Sequence, residues 1–334
     1  MRRLTLADIE RLRRVPGRTV LFYITDRCPV GCAHCSVAAR LGGPRVTDYP
    51  LFAEMVAGIS AEPDVQAVAI SGGEPFTERR GLGMAMDAFT GAGKDVVIFS
   101  SGHWASGHRC PRWIANVLAR TSTVILSTDS FHQATVGLER FGRALGHVAE
   151  AGCHIVAQVL DEPGGIARVR AVLRSALGQN WADRADVKPI TPLRAGRGRE
   201  VFPSRGTHAV AELGPCPLTA SPTVRYDGAV TGCCNETVIA GGGPAELRMR
   251  AGNAAEVRAA LARFSTDPLL RAMGSVPPRG WTALPPFAAL AGGRYESLCD
   301  LCRRAHDTLH EDDDRGRRLL TALTGHLDSR EAGT

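Results

Sequence analysis

The sequence predicts an α/β fold built on a parallel sheet, followed by a smaller carboxyl-terminal unit. Six strand-length apolar segments alternate with segments of helical periodicity, and this repeat favours parallel strands with helices packed outside. The repeat ends near residue 195, short of the roughly 250 residues that a closed eight-unit barrel needs. After Pro192 the chain has Pro, Gly and Cys at short intervals and few long helical patterns. A partial open barrel or a doubly wound sheet is therefore expected, with a domain boundary near residue 195.

The elements of the repeat follow in order from the amino terminus. Thr5 is a candidate N-cap for a short helix, which the Pro-Gly pair at 16–17 would end. The expected strands cover 19–25, 64–71, 95–100, 122–128, 154–160 and 186–191. Helical patterns lie near 50–60 and at 113–120, 139–152 and 167–177.

Composition argues against a membrane or nucleic-acid partner. No apolar run is long enough for a spanning helix, and no such run follows the basic amino terminus, so a cytoplasmic protein without a signal peptide is expected. The net charge is +6, but only Lys94 and Lys188 are lysine among 40 Lys and Arg residues. This arginine preference, without a basic helix, is more typical of a coding bias than of a nucleic-acid surface.

The ten cysteines fall into groups that favour metal binding over disulfides, because the cytosol keeps thiols reduced. Cys28, Cys32 and Cys35 follow the first strand directly. Three thiolates can hold three irons of a [4Fe–4S] cluster and leave the fourth iron open for a substrate or cofactor. Three of four zinc ligands are the alternative, although the nearest extra ligand, His34, is awkwardly adjacent to Cys35.

Other polar segments follow neighbouring strands. SGGEP at 71–75 follows the second strand, the serine-rich segment 100–103 follows the third, and Ser127 ends the fourth. Because ligands of parallel α/β folds bind at the carboxyl ends of the strands, these segments and the three cysteines are expected on one face. Asp129 and His132, in the same turn as Ser127, are interpreted as turn and packing residues.

The CxxxCxxC spacing, with Gly-Gly-Glu-Pro after the second strand, resembles the radical S-adenosylmethionine (SAM) superfamily over roughly residues 18–195. The resemblance implies a partial (β/α)6 TIM barrel, a [4Fe–4S] cluster on Cys28, Cys32 and Cys35, and SAM on the open iron. In that family an electron splits SAM into methionine and a 5′-deoxyadenosyl radical, so a donor such as flavodoxin or ferredoxin is an expected partner.

The resemblance also implies the contacts to SAM. The glycine-glutamate segment would receive the methionine amino group, the histidine would stack beside adenine, and two residues of the fourth and fifth strands would contact ribose or carboxylate. The implied contact residues are Gly72, Gly73, Glu74, His34, Ser127 and Gln158.

The late cysteines resemble the auxiliary domains called SPASM and twitch. A hairpin turn at Asp227-Gly228 precedes Cys233, and a Gly252-Asn253 element precedes a helix. The resemblance implies one auxiliary [4Fe–4S] cluster, and a four-cysteine zinc site is the alternative. The implied auxiliary ligands are Cys216, Cys233, Cys299 and Cys302.

Cys234 is left over beside Cys233. Successive side chains on an extended strand point to opposite faces, so both are not expected on one cluster. Cys234 is either a small buried residue or, facing the barrel mouth, a hydrogen-atom donor like the cysteine of radical SAM epimerases. Cys110 and Cys153 compete for the donor role but lie near predicted helix ends.

These observations predict an enzyme, a radical SAM oxidoreductase or epimerase. The expected reaction removes hydrogen from an unactivated C–H of a natural product, an aminocyclitol, an aminosugar or a ribosomal peptide, and gives dehydrogenation or a crosslink. Epimerisation with Cys234 is one alternative, and a non-catalytic iron–sulfur or zinc protein is another. The expected regions are a helix at 1–17, the barrel at 18–195, the auxiliary domain at 196–312, and a helix with a polar tail at 313–334.

Overall fold

A computed structural model describes residues 2–311 and 313–331 of the chain. Residue 312 and the end of the expected polar tail, 332–334, lie outside the described residues. The helices are α1 Leu6–Arg13, α2 Tyr49–Ser60, α3 Arg79–Gly91, α4 Arg112–Leu118, α5 Ser130–Gln133, α6 Leu138–Glu150, α7 Gly165–Leu177, α8 Gly198–Val201, α9 Glu236–Ile239, α10 Ala254–Thr266, α11 Pro268–Ser275, α12 Pro278–Trp281, α13 Ala288–Ala291, α14 Leu298–Glu311 and α15 Asp313–Glu331. The strands are β1 Thr19–Tyr23, β2 Ala67–Ser71, β3 Asp95–Ser100, β4 Thr123–Thr128, β5 His154–Leu160, β6 Ala185–Ile190, β7 His208–Ala209, β8 Thr223–Arg225, β9 Ala229–Thr231, β10 Arg248–Arg250 and β11 Arg294–Tyr295.

The main sheet has nine strands in the order β10-β9-β8-β1-β2-β3-β4-β5-β6. Strands β1 to β6 are parallel, as the βα repeat predicts, and each predicted strand overlaps an observed one. Strand β8 pairs parallel with β1, whereas β9 and β10 are antiparallel. The fold is thus α/β, and the hairpin predicted at Asp227-Gly228 lengthens the barrel sheet instead of starting a separate one.

The carboxyl-terminal part also packs on the barrel helices. Helix α10 lies against α2, where a Cβ on Gly58 would collide with Val257. An ion pair of 2.7 Å between Arg258 and Glu62 flanks this contact. The main core therefore includes residues of both β8 to β10 and α10. A second core, around Trp281 and Phe287, is formed by segments that follow residue 209.

Three helices after Pro192 have more than ten residues, and two of them, α10 after Gly252-Asn253 and α15 within 313–334, lie where the sequence predicts a helix. Helix α10 has 13 residues, α14 has 14 and α15 has 19. Asn253 caps α10 by accepting a hydrogen bond from the Glu256 amide at 3.0 Å, and the sequence AAEVRAALARF consists mainly of strong helix formers. The glycine- and proline-rich stretches between these helices obscured the periodic pattern.

Helix α1 closes the amino-terminal ends of the strands. Its apolar side packs against Val97, Ile125 and Val156, which face away from the outer helices. The Leu6 amide donates to Asp186 at 2.8 Å, which fixes the start of the helix below β6. The predicted cap is present, because the Thr5 hydroxyl accepts a hydrogen bond from the backbone amide three residues on. We call the sheet face that α1 covers the inner face.

Above α1 the inner face is open. Strands β2 to β6 each carry a partly exposed side chain there, although the residues on either side are mostly buried. These side chains are Ala69, Phe99, Ser127, Gln158 and Lys188. They line the inner face, which is apolar towards β2 and polar towards β6. No helix among the described residues is both long and apolar enough to cross a bilayer.

Candidate active site

The three early cysteines lie on one loop at the carboxyl end of β1. The Cys28 amide donates to the Arg40 carbonyl at 3.0 Å, and the Cys35 amide donates to the Cys32 carbonyl at 3.1 Å. Burial raises the pKa of Cys28, although the amides of Val30 and Gly31 that face its sulfur partly oppose this. Backbone N–H groups directed at sulfur are typical of iron–sulfur ligand loops.

Arg197 holds this loop from outside. Its guanidinium donates to the Cys32 carbonyl at 3.0 and 2.7 Å and to the Ala39 carbonyl at 3.0 Å. The Arg197 amide donates to the Cys35 carbonyl, and a Cβ on neighbouring Gly196 would collide with that same oxygen. The role of Arg197 was not predicted from the sequence. The glycines of LRAGRGRE did indicate that backbone approaches closely there.

The Gly72-Gly73 pair brings the loop after β2 against the loop after β1. The Gly73 amide donates to the Thr25 carbonyl at 2.6 Å, and the Glu74 amide donates to the Arg27 carbonyl at 2.9 Å. A Cβ on Gly72 or Gly73 would collide with the backbone at Thr25 or Arg27, and Gly72 has φ +147°. The glycines thus bring the two loops together, in addition to any approach to a ligand.

Glu74 is 1% exposed, and its carboxylate is surrounded by hydrogen-bond donors. Ser101 donates to it through its amide at 2.9 Å and its hydroxyl at 2.6 Å, and the Ser100 hydroxyl donates at 3.0 Å. The Phe76 amide adds a contact of 3.3 Å. No ion pair joins Glu74 to a cation among residues 2–311 and 313–331. It is a buried, fixed acceptor that can still attract an ammonium group.

His34 lies beside the cysteines in a polar and aromatic cluster. Its Nε2 is 3.2 Å from a carboxylate oxygen of Asp129, and His132 Nδ1 is 2.7 Å from the same oxygen. Asp129 also accepts from the Phe131 and His132 amides, so its expected role in the turn is present. Burial raises the pKa of Asp129, but the hydrogen bonds from both histidines outweigh this and hold it well below its usual value.

The ring of His34 is already stacked on one side. Its centroid lies 4.6 Å from that of Phe131, with 28° between the planes. The Nδ1 atom of His34 is buried without a hydrogen-bond partner. The contact with adenine stays a prediction, and it would use the face of His34 opposite Phe131.

Ser127 and Gln158 lie side by side. They are register partners on β4 and β5, and Gln158 in turn pairs with Lys188 on β6. The amine of Lys188 is 3.5 Å from Glu10 of α1. The three side chains form a polar row along the inner face, where the sequence analysis expected contacts to ribose or carboxylate; Lys188 was not predicted.

One group of metal-binding side chains lies beside the cysteine loop. Zinc holds its ligands about 2 Å from one centre, so the ligand atoms come close to one another. Among the described residues, the one group of three or more such side chains whose ligand atoms all lie within 4.8 Å of one another is Cys32, His34 and His132. Because this group takes in Cys32 and His34, zinc stays the alternative to a cluster on the early cysteines.

The late cysteines meet at the opposite end of the barrel. Cys233 follows the lower end of β9, and its carbonyl accepts a hydrogen bond from Thr223, the first residue of β8. Burial first, and then the neighbouring cysteines, raise the pKa of Cys299 to about 12 and the pKa of Cys302 well above its usual value. The four implied auxiliary ligands thus lie close enough for each thiolate to raise the pKa of its neighbours. They are Cys216, Cys233, Cys299 and Cys302.

Cys234 lies at this lower end too. The Arg13 guanidinium, at the end of α1, is 3.5 Å from its sulfur. Burial raises the pKa of Cys234 to about 11, although Arg13 opposes the rise. The SAM contacts implied by the resemblance lie at the other end of the strands. The position at the barrel mouth that the donor role assumed for Cys234 is therefore not observed.

A charged cluster joins the two halves of the chain. Arg225 of β8 donates to Asp26 at 2.8 Å, and the Tyr226 hydroxyl donates to the same carboxylate at 2.7 Å. Asp26 lies two residues before Cys28. Burial lowers the pKa of Arg225, but its hydrogen bonds and ion pairs with Asp26 and Asp227 raise it overall. The hairpin of β8 and β9 thus supports the cysteine loop.

Comparisons with known proteins were made by sequence and by structure. No protein-family model matches the chain, and no curated protein resembles its sequence. Streptococcus suis SuiB bound to S-adenosylmethionine is similar in structure at 14% identity, covering 89% of this chain and 75% of SuiB, with a TM-score of 0.47.

Two further solved structures resemble the chain distantly. BtrN in complex with AdoMet and 2-DOIA is 14% identical over 85% of this chain and 91% of BtrN, with a TM-score of 0.42. AnSMEcpe with bound AdoMet and the Cp18Cys peptide is 13% identical over 91% of this chain and 99% of its own length, with a TM-score of 0.49.

Proposed function

We propose that this chain is a radical SAM enzyme that oxidises an unactivated C–H of a natural-product substrate. The observation that supports it most is the joining of two loops at the carboxyl ends of β1 and β2. One loop carries Cys28, Cys32 and Cys35, the other carries the buried Glu74, and backbone hydrogen bonds hold them together. When bound, a [4Fe–4S] cluster with SAM would supply reductive cleavage to a 5′-deoxyadenosyl radical.

The chain's residues would bind and orient the reactants. Glu74, immobilised by Ser100 and Ser101, would accept the ammonium of SAM. Ser127 and Gln158, side by side on the inner face, would contact its ribose or carboxylate. A fixed position of the cleaved bond is what directs a radical to one hydrogen of the substrate.

The partly exposed inner face above α1 would hold the substrate. Phe99 and Ala69 offer an apolar wall, and Gln158 and Lys188 offer hydrogen-bond donors. A polyhydroxylated aminocyclitol, an aminosugar or the side chain of a ribosomal peptide suits such a mixed wall. The helix α1 below and the backbone of the barrel would keep bulk water from the reacting carbon.

The late cysteines would hold one auxiliary [4Fe–4S] cluster. They lie at the amino end of β1 and β8, and the early cysteines lie at the carboxyl end. A five-residue strand spans on the order of 15 Å. A substrate on the inner face would lie between the two sites, so an electron leaving the substrate radical has an acceptor within the same protein. This arrangement supports oxidation as the outcome.

The test is anaerobic reconstitution with iron and sulfide, followed by SAM and a strong reductant. The expected result is 5′-deoxyadenosine, measured by chromatography, from the natural chain and from Cys110→Ala, since Cys110 belongs to neither cysteine set. Replacement of Cys32 by alanine should abolish it. A natural chain that binds iron but forms no 5′-deoxyadenosine would exclude this enzyme and favour a non-catalytic iron–sulfur or zinc protein.

Epimerisation with Cys234 as the hydrogen donor is the second candidate, and its support is that Cys234 is a thiol outside both implied ligand sets. The reaction in deuterated water separates the two outcomes. Oxidation gives a product two hydrogens lighter without solvent deuterium. Epimerisation would instead place deuterium at the reacting carbon. Cys234→Ala would then lose this deuterium while it still forms 5′-deoxyadenosine.

A further inference from the structure

A basic surface with an exposed leucine lies over the cysteine loop. We call it the basic rim, formed by Arg27, Arg40, Leu41 and Arg45. Leu41 is 62% exposed, the largest value among the exposed large hydrophobic residues that the structure describes. Together with Gly42, Gly43, Pro44 and Thr47, three of these residues line a shallow surface groove. An exposed apolar side chain surrounded by cations is more typical of a protein-docking surface than of an ordinary solvated loop.

The basic rim is tied directly to the segment that carries the first cysteine. The Cys28 amide donates to the Arg40 carbonyl at 3.0 Å, and the Asp26 amide donates to the Pro44 carbonyl at 3.0 Å. An isolated β-bridge pairs Arg27 with Arg40. A partner seated on the basic rim is therefore separated from the cysteine loop by a single layer of backbone.

The arginines of the basic rim have no carboxylate partner in the part of the chain that the structure describes. In residues 2–311 and 313–331, no ion pair involves Arg27, Arg40 or Arg45. The neighbouring carboxylates are engaged elsewhere, because Asp26 pairs with Arg225 and Asp48 caps α2 through the Leu51 amide. Exposed cations without partners attract an anionic surface over several ångströms.

We propose that the basic rim is the docking surface of an acidic one-electron carrier protein of the flavodoxin or ferredoxin kind. This inference rests on the proposed function, in which SAM cleavage begins when another protein supplies one electron to the early cluster. The arginines would steer the carrier, and Leu41 would supply the desolvated centre of a small, weak interface.

The electron transfer balances without other reactants. An anionic flavin hydroquinone loses one electron and becomes the neutral semiquinone, and a cluster on Cys28, Cys32 and Cys35 gains that electron. No proton or bond is exchanged between the two proteins. A transient, salt-sensitive contact is sufficient for such a step, and the carrier then has to leave.

The first measurement is binding, which does not depend on turnover. Oxidised flavodoxin is titrated into the reconstituted protein in a calorimeter at low ionic strength. We expect Arg40→Glu/Arg45→Glu to raise Kd by about 10-fold or more, and Leu41→Asp to weaken binding independently. The conservative Arg40→Lys/Arg45→Lys keeps the charges and should bind within about 3-fold of the natural chain.

Arg170→Glu/Arg174→Glu is the matched control. Both arginines are exposed on α7, far along the sheet from the cysteine loop, so the same reversal of two charges there should leave Kd within about 2-fold. Equal weakening in the control and in Arg40→Glu/Arg45→Glu would show a net-charge effect and would overturn the docking site. An unchanged Kd in both would overturn it as well.

The second measurement separates docking from the proposed function. Reduced flavodoxin should bleach the iron–sulfur absorbance of Arg40→Glu/Arg45→Glu about 10-fold more slowly than that of the natural chain. With dithionite and cationic methyl viologen as the reductant, the bleaching rates of the two proteins should agree within about 2-fold. Equal rates with flavodoxin would refute docking. If viologen reduces the cluster but no 5′-deoxyadenosine appears in any protein, the enzyme proposal fails, and the binding data still decide the docking site.

Discussion

At the scale of single residues, the site depends on charged groups whose partners are backbone or hydroxyl groups. Glu74 is the clearest case, because a carboxylate that is 1% exposed is kept in place by Ser100 and Ser101 without a cation. Burying an anion in this way costs free energy unless a ligand later supplies the positive charge. The arrangement is that of a binding site prepared in advance.

We expect Glu74→Gln to weaken SAM binding by about 10-fold or more, which corresponds to about 1.4 kcal/mol. The amide keeps the shape but removes the charge and turns an N–H₂ group towards the donors of Ser101. Equilibrium dialysis of SAM against the reconstituted protein measures the change. Glu78→Gln is the control, since Glu78 is also buried but bonds Tyr49 at 2.7 Å; an equal effect there would argue against a specific ammonium contact.

Arg197→Ala should loosen the cysteine loop. The variant loses three guanidinium contacts to the carbonyls of Cys32 and Ala39, and hydrogen bonds from charged groups are worth about 1.5–3 kcal/mol. We expect faster loss of iron to a chelator, followed by absorbance, with little change in far-UV circular dichroism. Arg194→Ala, which removes an exposed bond to the Phe202 carbonyl, should lose iron at the natural rate.

The residues that sequence could identify differ in kind from those it missed. The identified residues belong to short motifs whose spacing can be recognised without knowing the fold. These are Cys28, Cys32, Cys35 and the glycine-glutamate segment. Arg197 and Arg225 act on loops about 165 and 199 residues away in the chain. The glycines beside Arg197 indicate a close backbone approach, but no local pattern shows which loop is approached. The expected mouth position of Cys234 did not appear, because the strand direction of β9 carries Cys234 to the lower end of the sheet.

At the scale of elements, α1 shows how much a local signal can predict. Thr5 and Asp8 form a reciprocal capping box, and the apolar residues of the helix share the face that packs on the strands. Both features were visible in the sequence. The pairing of β8 with β1 was not, because three-residue strands have no periodicity and the partners are about 200 residues apart.

We expect Thr5→Ala to lower the free energy of unfolding by about 1 kcal/mol. The Thr5 hydrogen bonds are the largest cause that holds the pKa of Asp8 below 3.8. A carboxyl with a lowered folded pKa stabilises fully above its unfolded pKa and loses this contribution as pH falls. The difference between the two proteins should therefore be largest at neutral pH and shrink below about pH 4.

Urea unfolding at several pH values measures this difference. Thr321→Ala is the control, because Thr321 is exposed within α15 and bonds only a carbonyl of its own helix. Alanine there is at least as good a helix former, so no loss is expected. A pH-independent loss in Thr5→Ala would contradict the role assigned to Asp8.

At the scale of the whole molecule, two cysteine sites occupy opposite ends of one sheet. Cys302 connects the late site to the rest of the protein, because its side chain packs against both hydrophobic cores. Loss of this residue should therefore affect metal content and stability together, whereas the early site lies on a separate loop.

We expect Cys302→Ala to reduce iron and sulfide from about eight to about four atoms per chain. The thermal midpoint should fall as well, because the cores lose a shared contact. Metal analysis after anaerobic reconstitution, with Cys110→Ala as the control, measures the first effect. Four atoms already in the natural chain would remove the auxiliary cluster from the proposal.

The closure of the barrel base by α1 has a consequence for the order of events during turnover. Helix α1 covers the inner face at the amino ends of the strands, so a ligand there would enter from the carboxyl ends, and the deeper of two ligands would enter first and leave last. The substrate, placed below the loop of Glu74, would thus load before S-adenosylmethionine, and product would leave after 5′-deoxyadenosine. Product-inhibition kinetics should then show a compulsory sequence, whereas a random sequence would mean that a second route reaches the inner face.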